Sequence, residues 1–254
     1  MRENATKAKM LRGEAVIGPF LPLPSPMVME LTAFAGMDFG IIDCEHGFID
    51  YEGVYPMVLA AEARGMTAIA RCPVRDPQFI LRYLDLGVQG LHVPQINTKE
   101  EAEAFVQACH YQPRGWRGSA SPRASDYGLS GMSMYDAMQF LNREVLTIAH
   151  IENPRAVDNL EEICAVEGLD VLFVGRGDMS HALGAPNQFD HPAVQEQMRR
   201  VVEKSKGSGK ILGTVVRDVA QAREAIEMGF LYIACGFAGF LVGGMKQFLA
   251  ETRK

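Results

Sequence analysis

No two cysteines stand as a Cys-x-x-Cys pair: Cys44, Cys72, Cys109, Cys164 and Cys235 are dispersed through the chain and odd in number. Such a set gives no disulfide framework. The opening Met1-Arg2-Glu3-Asn4 carries none of the apolar core of a secretory signal, and the expectation is a reducing cytoplasm. No basic stripe with interleaved aromatics is present, and a net charge of −6 argues against a nucleic-acid footprint. There is no low-complexity tract. One segment, Met228 to Met245, is free of charge over a length at which membrane spans begin. Its glycines at 229, 236, 239, 243 and 244 break it into a strand, a turn and a very apolar last helix, so no membrane span is expected. That helix should pack against its own barrel or another subunit, and an oligomer is expected.

Among what is there, the most informative run is Phe39-Gly40-Ile41-Ile42-Asp43-Cys44-Glu45-His46-Gly47, in which apolar residues end abruptly in ionisable ones. A short apolar run reads as a strand buried on both faces, as in a parallel sheet covered by helices. The pattern recurs at Ala15–Phe20, Phe39–Asp43, Thr67–Arg71, Gly90–Pro94, Leu146–Glu152, Val171–Gly175, Ile211–Val215 and Leu231–Cys235. Helical spacing lies between, over Tyr51–Arg64, Pro77–Leu86, Thr98–Ala108, Ala156–Val166, His191–Lys206 and Asp218–Met228. Eight strands alternating with helices in 254 residues predict one (β/α)8 barrel, an α/β fold spanning residues 1–254 as a single domain. The long Gly/Arg/Ser/Pro-rich stretch from His110 to Leu141 is expected to be a functional loop.

In such barrels the chemistry sits at the carboxyl ends of the strands. Asp43, Glu45 and His46 follow the second strand, Arg71 ends the third, His150 and Glu152 end the fifth, and Gly175-Arg176-Gly177-Asp178 follows the sixth. Glu152 and Asp178 come from neighbouring strands, and two carboxylates converging there would repel unless a cation or proton lay between them. A divalent metal with oxygen ligands resolves the conflict. Each acid alone also reads as a helix N-cap, Asp178 with its Met179-Ser180-His181-Ala182 sequel most readily.

The blocks Asp43-x-Glu45-His46-Gly47, Arg71-Cys72-Pro73, Leu84-Asp85-Leu86-Gly87 with Gly90-Leu91-His92-Val93-Pro94, Pro113-Arg114-Gly115-x-Arg117-Gly118, Ile151-Glu152-Asn153 and Gly175-x-x-Asp178-Met179-Ser180 resemble, in order and spacing, the HpcH/HpaI aldolase family. The resemblance implies a class II pyruvate aldolase dependent on a divalent cation (Mg2+, Mn2+ or Co2+, with Zn2+ also possible). It also implies a hexamer built as a trimer of dimers that exchange their last helix. Carried onto this chain, it makes Glu152 and Asp178 the metal ligands, with Asp43, Glu45 and His150 behind them. Arg71 would brace the enolate, and His46 would be the acid/base tuned by Asp85. Gly177 and Asp178 would cradle the substrate carboxylate, and Val215 would line the pocket. The implied partners are pyruvate or another 2-oxo acid and an aldehyde.

No lysine ends a strand, which disfavours a Schiff-base mechanism. Three departures from the family pattern stand out: His150 replaces a usual glutamine, Arg176 a common proline, and Phe20 an aromatic that is often tryptophan. Arg176 reads either as extra charge for a second substrate carboxylate or as an arginine held outside the barrel. His150 reads either as a hydrogen-bonding group in the mouth or as a nitrogen ligand that would favour Mn2+, Co2+ or Zn2+ over Mg2+. A decarboxylating synthase, a citrate synthase-like enzyme and a non-catalytic 2-oxo-acid-binding barrel are the alternatives.

Overall fold

Eight parallel strands close into a barrel in sequence order, with β8 pairing back onto β1, in a computed structural model that describes residues 1–253. The strands are β1 (Val16–Leu21), β2 (Phe39–Asp43), β3 (Thr67–Arg71), β4 (Gly90–Val93), β5 (Leu146–Ile151), β6 (Val171–Val174), β7 (Ile211–Val216) and β8 (Phe230–Gly236). The helices are α1 (Ala5–Leu11), α2 (Pro26–Phe34), α3 (Tyr51–Ala63), α4 (Pro77–Leu86), α5 (Lys99–Cys109), α6 (Met134–Glu144), α7 (Pro154–Asp158), α8 (Leu160–Cys164), α9 (Arg176–Ala182), α10 (Pro192–Ser205), α11 (Val219–Glu227) and α12 (Phe237–Thr252). Local chemistry marks the helix starts. Ser25, Asp50, Asp76, Thr98, Asn153 and Asp218 each accept an amide from the first turn that follows. Proline occupies the first position of α2, α4, α7 and α10, where its missing N–H costs nothing.

Alternation along the strands divides the core in two. Ile42, Ala70, Leu91, Ala149, Leu172 and Ile233 face the helices, whereas Phe39, Ile41, Ile69, Ile148, Phe173 and Tyr232 fill the barrel. Met10 of α1 packs against that inner cluster, and Asn4 donates to the Gln89 and Glu144 carbonyls at 2.9 and 3.0 Å. The N-terminal end of the barrel is thereby plugged.

The apolar stretch 228–245 divides into β8 and α12 as expected, and among the described residues no helix is long and apolar enough to cross a membrane. No residue of α12 is buried: Phe240, Leu241, Met245 and Phe248 all face outward. Two expectations need correction. The helix expected over Ala156–Val166 is two short helices meeting at Asn159, whose side-chain amide is drawn to the Asn97 carbonyl at 2.8 Å. The 110–141 stretch holds a 3-10 turn (Arg123–Gly128) and the start of α6, and it joins the end of α5 to the start of β5. A helix-to-strand connection lies at the barrel's N-terminal end, away from the chemistry. There Arg117 pairs with Asp85 at 2.7 Å, Arg123 with Glu62, and the terminal amine of Met1 with Asp126. Within one chain the segment braces the barrel and does not cover that chain's own mouth.

Candidate active site

Strand register places the first pair. Asp43 and Arg71 are neighbours across β2 and β3, and the guanidinium donates to both Asp43 oxygens, Nε to Oδ1 at 2.9 Å and Nη2 to Oδ2 at 2.5 Å. Its third nitrogen lies 3.3 Å from Glu45 Oε2, and the guanidinium covers the Phe20 ring at 4.6 Å. The amides of Glu45 and His46 also donate to Asp43 Oδ1. Burial opposes the charge on Asp43, but Arg71 and these amides outweigh it and hold the carboxyl below its ordinary value. Glu45 moves the other way: burial pushes it up and the nearby Glu152 charge adds to the rise, against Arg71.

Glu152, just past the end of β5, is 5% exposed. The backbone N–H of Gln95 donates to its Oε1 at 2.7 Å, and His150 Nδ1 lies 3.1 Å from its Oε2. Gln95 is held in the left-handed region (φ 54°), an unfavourable conformation for a side-chain-bearing residue, and this aims its amide at the carboxylate. Burial raises the Glu152 pKa, yet the His150 contact, the Gln95 amide and Arg71 together bring it below the usual value. Space is tight: a Cβ on Gly175 would lie 2.7 Å from Glu152 Oε2.

A divalent cation fits this mouth. Three carboxylates, Asp43, Glu45 and Glu152, share one neighbourhood with Arg71, and the Glu45 and Glu152 charges disfavour one another. The donors are hard oxygens. Among the described residues no group of three or more His, Cys, Asp or Glu side chains is arranged to hold a metal ion, so the protein would supply fewer than three such ligands.

The remaining expected residues separate into near and far. Val215 packs on the barrel-filling cluster. Gly177 and Asp178 lie in the first turn of α9 at the mouth, with Asp178 exposed and followed by the buried Met179 and Ser180. His46 is exposed on the loop after β2, tied in by its amide. Asp85 lies apart from the mouth of its own chain. It sits in the last turn of α4, which runs back along the barrel and ends where β4 begins, at the end opposite the mouth. Within one chain it serves Arg117, not His46. Arg176 is 2% exposed, so it is not an exposed arginine, and carboxylates of Glu224 and Asp190 lie in its surroundings. Three contributors escaped the sequence reading: Gln95, which acts through its backbone, and His92 and Tyr232, buried next to His150. The signal for His92 was a histidine inside the otherwise apolar Gly90–Val93 strand. For Gln95 there was none.

A hollow of about 520 Å3 opens beside Glu45 and Gln95, rimmed by Pro73, Val74 and Arg75. A second of about 340 Å3 lies at the braced end among Glu62, Arg117 and Arg123. The first adjoins the acids and is the one placed for a substrate.

An acid-rich mouth with an arginine at the carboxyl ends of a closed parallel β/α barrel is where such barrels carry their chemistry. The chain belongs to the HpcH/HpaI aldolase/citrate lyase family, whose model matches residues 17–243. It is 32% identical over 252 residues to a 5-keto-4-deoxy-D-glucarate aldolase of Shigella boydii serotype 18, covering 99% of this chain and 96% of the relative. Among solved structures it is similar to an HpcH/HpaI aldolase/citrate lyase family protein from Burkholderia cenocepacia J2315 (TM-score 0.93, 32% identity, 99% of this chain and 100% of that one). It is also similar to the citrate synthase SbnG (TM-score 0.88, 28% identity, 99% and 98% covered).

Proposed function

We propose that the protein is a class II, metal-dependent aldolase that reversibly joins the methyl carbon of pyruvate, or of a related 2-oxo acid, to an aldehyde. In the forward direction a C3–H proton is removed, C3 forms a bond to the aldehyde carbon, and the aldehyde oxygen takes up a proton. Cleavage of the 4-hydroxy-2-oxo acid is the reverse. The observation that carries the reading is Glu152, a buried carboxylate held in its charged form at the mouth beside Arg71.

Glu152 and Asp178 would hold the cation, with Asp43 and Glu45 orienting its waters. When bound, a divalent ion such as Mg2+, Mn2+ or Co2+ supplies the pull on the keto oxygen that acidifies the neighbouring C–H. Arg71 offers a planar, permanently charged donor to the oxygen that gains charge. His46, free on its loop, takes and returns the proton, and in one chain it does so without Asp85. The first-turn amides of Gly177 and Asp178 face the substrate carboxylate, and Val215 keeps that wall apolar. The named relative makes 5-keto-4-deoxy-D-glucarate the first cleavage substrate to assay. Likeness to SbnG keeps a citrate synthase-like condensation as the second reading. The exposed apolar α12 supports a homo-oligomer, a trimer of dimers with that helix exchanged. All five cysteines are free and buried, which supports a cytoplasmic setting.

The test is hydrogen exchange. Incubated with Mn2+ and pyruvate in deuterated water, the protein should exchange the methyl protons, as read by NMR. His46→Ala should slow exchange by about 10²–10⁴-fold while pyruvate still binds. Binding without exchange by the wild type would leave only a 2-oxo-acid-binding barrel.

A further inference from the structure

Four side chains form one hydrogen-bonded line from the mouth into the centre of the barrel. His150 Nδ1 lies 3.1 Å from Glu152 Oε2, His150 Nε2 lies 2.8 Å from His92 Nδ1, and His92 Nε2 lies 2.8 Å from the Tyr232 hydroxyl. His150, His92 and Tyr232 come from three different strands, β5, β4 and β8, and Glu152 follows β5 directly. All are out of water: Tyr232 and His92 are 0% exposed, His150 2% and Glu152 5%. Aromatic rings sheathe the line. Phe173 packs on both histidines, with centroids 5.0 and 4.9 Å away, Phe20 edges His92 at 5.7 Å, and Phe39 stacks on Tyr232 at 4.4 Å.

In so dry a setting each donor needs an acceptor, and this fixes the protons. A carboxylate only accepts, so His150 Nδ1 carries a hydrogen. If His150 is neutral, its Nε2 accepts from His92 Nδ1–H, His92 Nε2 accepts from the Tyr232 O–H, and every group in the line is satisfied. The reverse order requires a charged His150 and turns the Tyr232 oxygen into an acceptor. Its own proton then has no partner in a fully buried place. Burial also pulls the His92 pKa well down, in keeping with a neutral ring.

We propose that Tyr232, His92 and His150 are positioning residues, a one-way hydrogen-bond relay that clamps the Glu152 carboxylate for the cation and leaves His150 no lone pair with which to bind the metal itself. This rests on the reading of Glu152 as a metal ligand. Both ring nitrogens of His150 are engaged within the line, so the histidine supports the ligand instead of joining it. A glutamine at position 150 can do the same work, since its NH2 donates to Glu152 while its carbonyl accepts from His92.

Two measurements on the full chain test this. The first uses metal-free, 15N-labelled protein at pH 8. Long-range imidazole correlation spectra, assigned with single His→Gln variants among the six histidines, should show both His92 and His150 protonated at Nδ1. Tyr232→Phe, nearly isosteric, should keep His92 protonated at Nδ1, which still donates to His150, and shift only the Nε2 resonance that loses the tyrosine O–H. The second titrates Mn2+ by calorimetry without substrate. His150→Leu should weaken binding by about 10–100-fold, while His150→Gln stays near wild type. An Nε2–H tautomer at either ring, or an imidazolium signature at His150, would overturn the relay's direction. Unchanged Mn2+ affinity in a folded His150→Leu would overturn its clamping role. Loss of Co2+ or Zn2+ affinity relative to Mg2+ in His150→Gln would make His150 a ligand and overturn the proposal outright. If the wild type bound no Mn2+, the metal reading of Glu152 and the clamp would fall together, whereas the tautomer spectrum reports on the line itself whatever the enzyme's activity.

Discussion

A single missing Cβ sets the room available to Glu152. Gly175 has an ordinary φ of −81°, so alanine there meets no backbone strain, only the carboxylate 2.7 Å away and the Glu152 Cβ at 3.0 Å. Gly175→Ala should leave the fold intact but push Glu152 off its Gln95 and His150 partners, lowering Mn2+ affinity by about 10–100-fold, the range for disturbing a ligand's support. A thermal melt beside a Mn2+ titration checks it, and wild-type affinity in a folded variant would show that the carboxylate has room to move. Two buried histidines bear on stability. Burial is the largest cause that lowers both His92 and His110, the latter 2% exposed with Nδ1 2.7 Å from the Val106 carbonyl. Unfolded, each titrates near 6.5; folded, each stays neutral below that. The unfolded chain therefore binds more protons in that window, and stability is full above pH 6.5 and falls as pH drops toward the folded values. The slope is up to about 1.4 kcal/mol per pH unit for each histidine. Urea unfolding at pH 7.5, 6 and 5 should show the loss, and His110→Gln should make it shallower by about one proton. Asp43 and Glu152, both lowered, act at lower pH, and Glu45, raised by burial, opposes the loss, so the deciding readout is the difference between variants: an unchanged slope in His110→Gln would contradict the assignment.

Strands and helices were legible because their signals are local. Continuous apolar runs of four to seven residues, a capping Ser, Thr, Asp or Asn, and a proline at the first helical position each name an element without reference to the rest of the chain. Ends shifted by one or two residues where a neighbour decides them, as at Gly175, which leaves β6 to precede α9. The site was legible where strand ends carry charge, as with Asp43, Arg71 and Glu152. It was illegible where chemistry depends on the backbone, as at Gln95, or on residues that meet across the barrel, as with His92 and Tyr232, which are 140 residues apart. Asp85 shows what a motif match leaves open: its position at the end of a helix puts it at the plugged face, so within one chain it serves Arg117 and cannot reach His46. The same rule applied to the 110–141 stretch would have identified a brace, because it follows a helix and precedes a strand.

At the scale of the molecule, polar and apolar excess lie in different places. Acids stand at the open mouth, the Arg117–Asp85 and Arg123–Glu62 pairs lock the closed end, and α2 and α12 each carry a run of uncovered apolar side chains. On α12, Phe240, Leu241, Val242, Met245, Phe248 and Leu249 are exposed. On α2, Met27, Leu31 and Phe34 share one helical face and are 67%, 56% and 65% exposed. A barrel ordinarily covers its first helix with its last; here α12 leaves that face bare. Burying the six α12 side chains is worth on the order of 10 kcal/mol at about 1.5–3 kcal/mol each, comparable with the 4–15 kcal/mol that association costs. Since no α12 residue is buried in its own barrel, polar substitution there should spare the fold and weaken assembly. Phe240→Ser combined with Phe248→Ser is expected to keep the circular-dichroism spectrum and melting behaviour of a folded barrel while shifting sedimentation from oligomer toward monomer. If the double variant sediments like the wild type, α12 is not the assembly element; if the wild type itself runs as a monomer at micromolar concentration, the exposed face has some other partner.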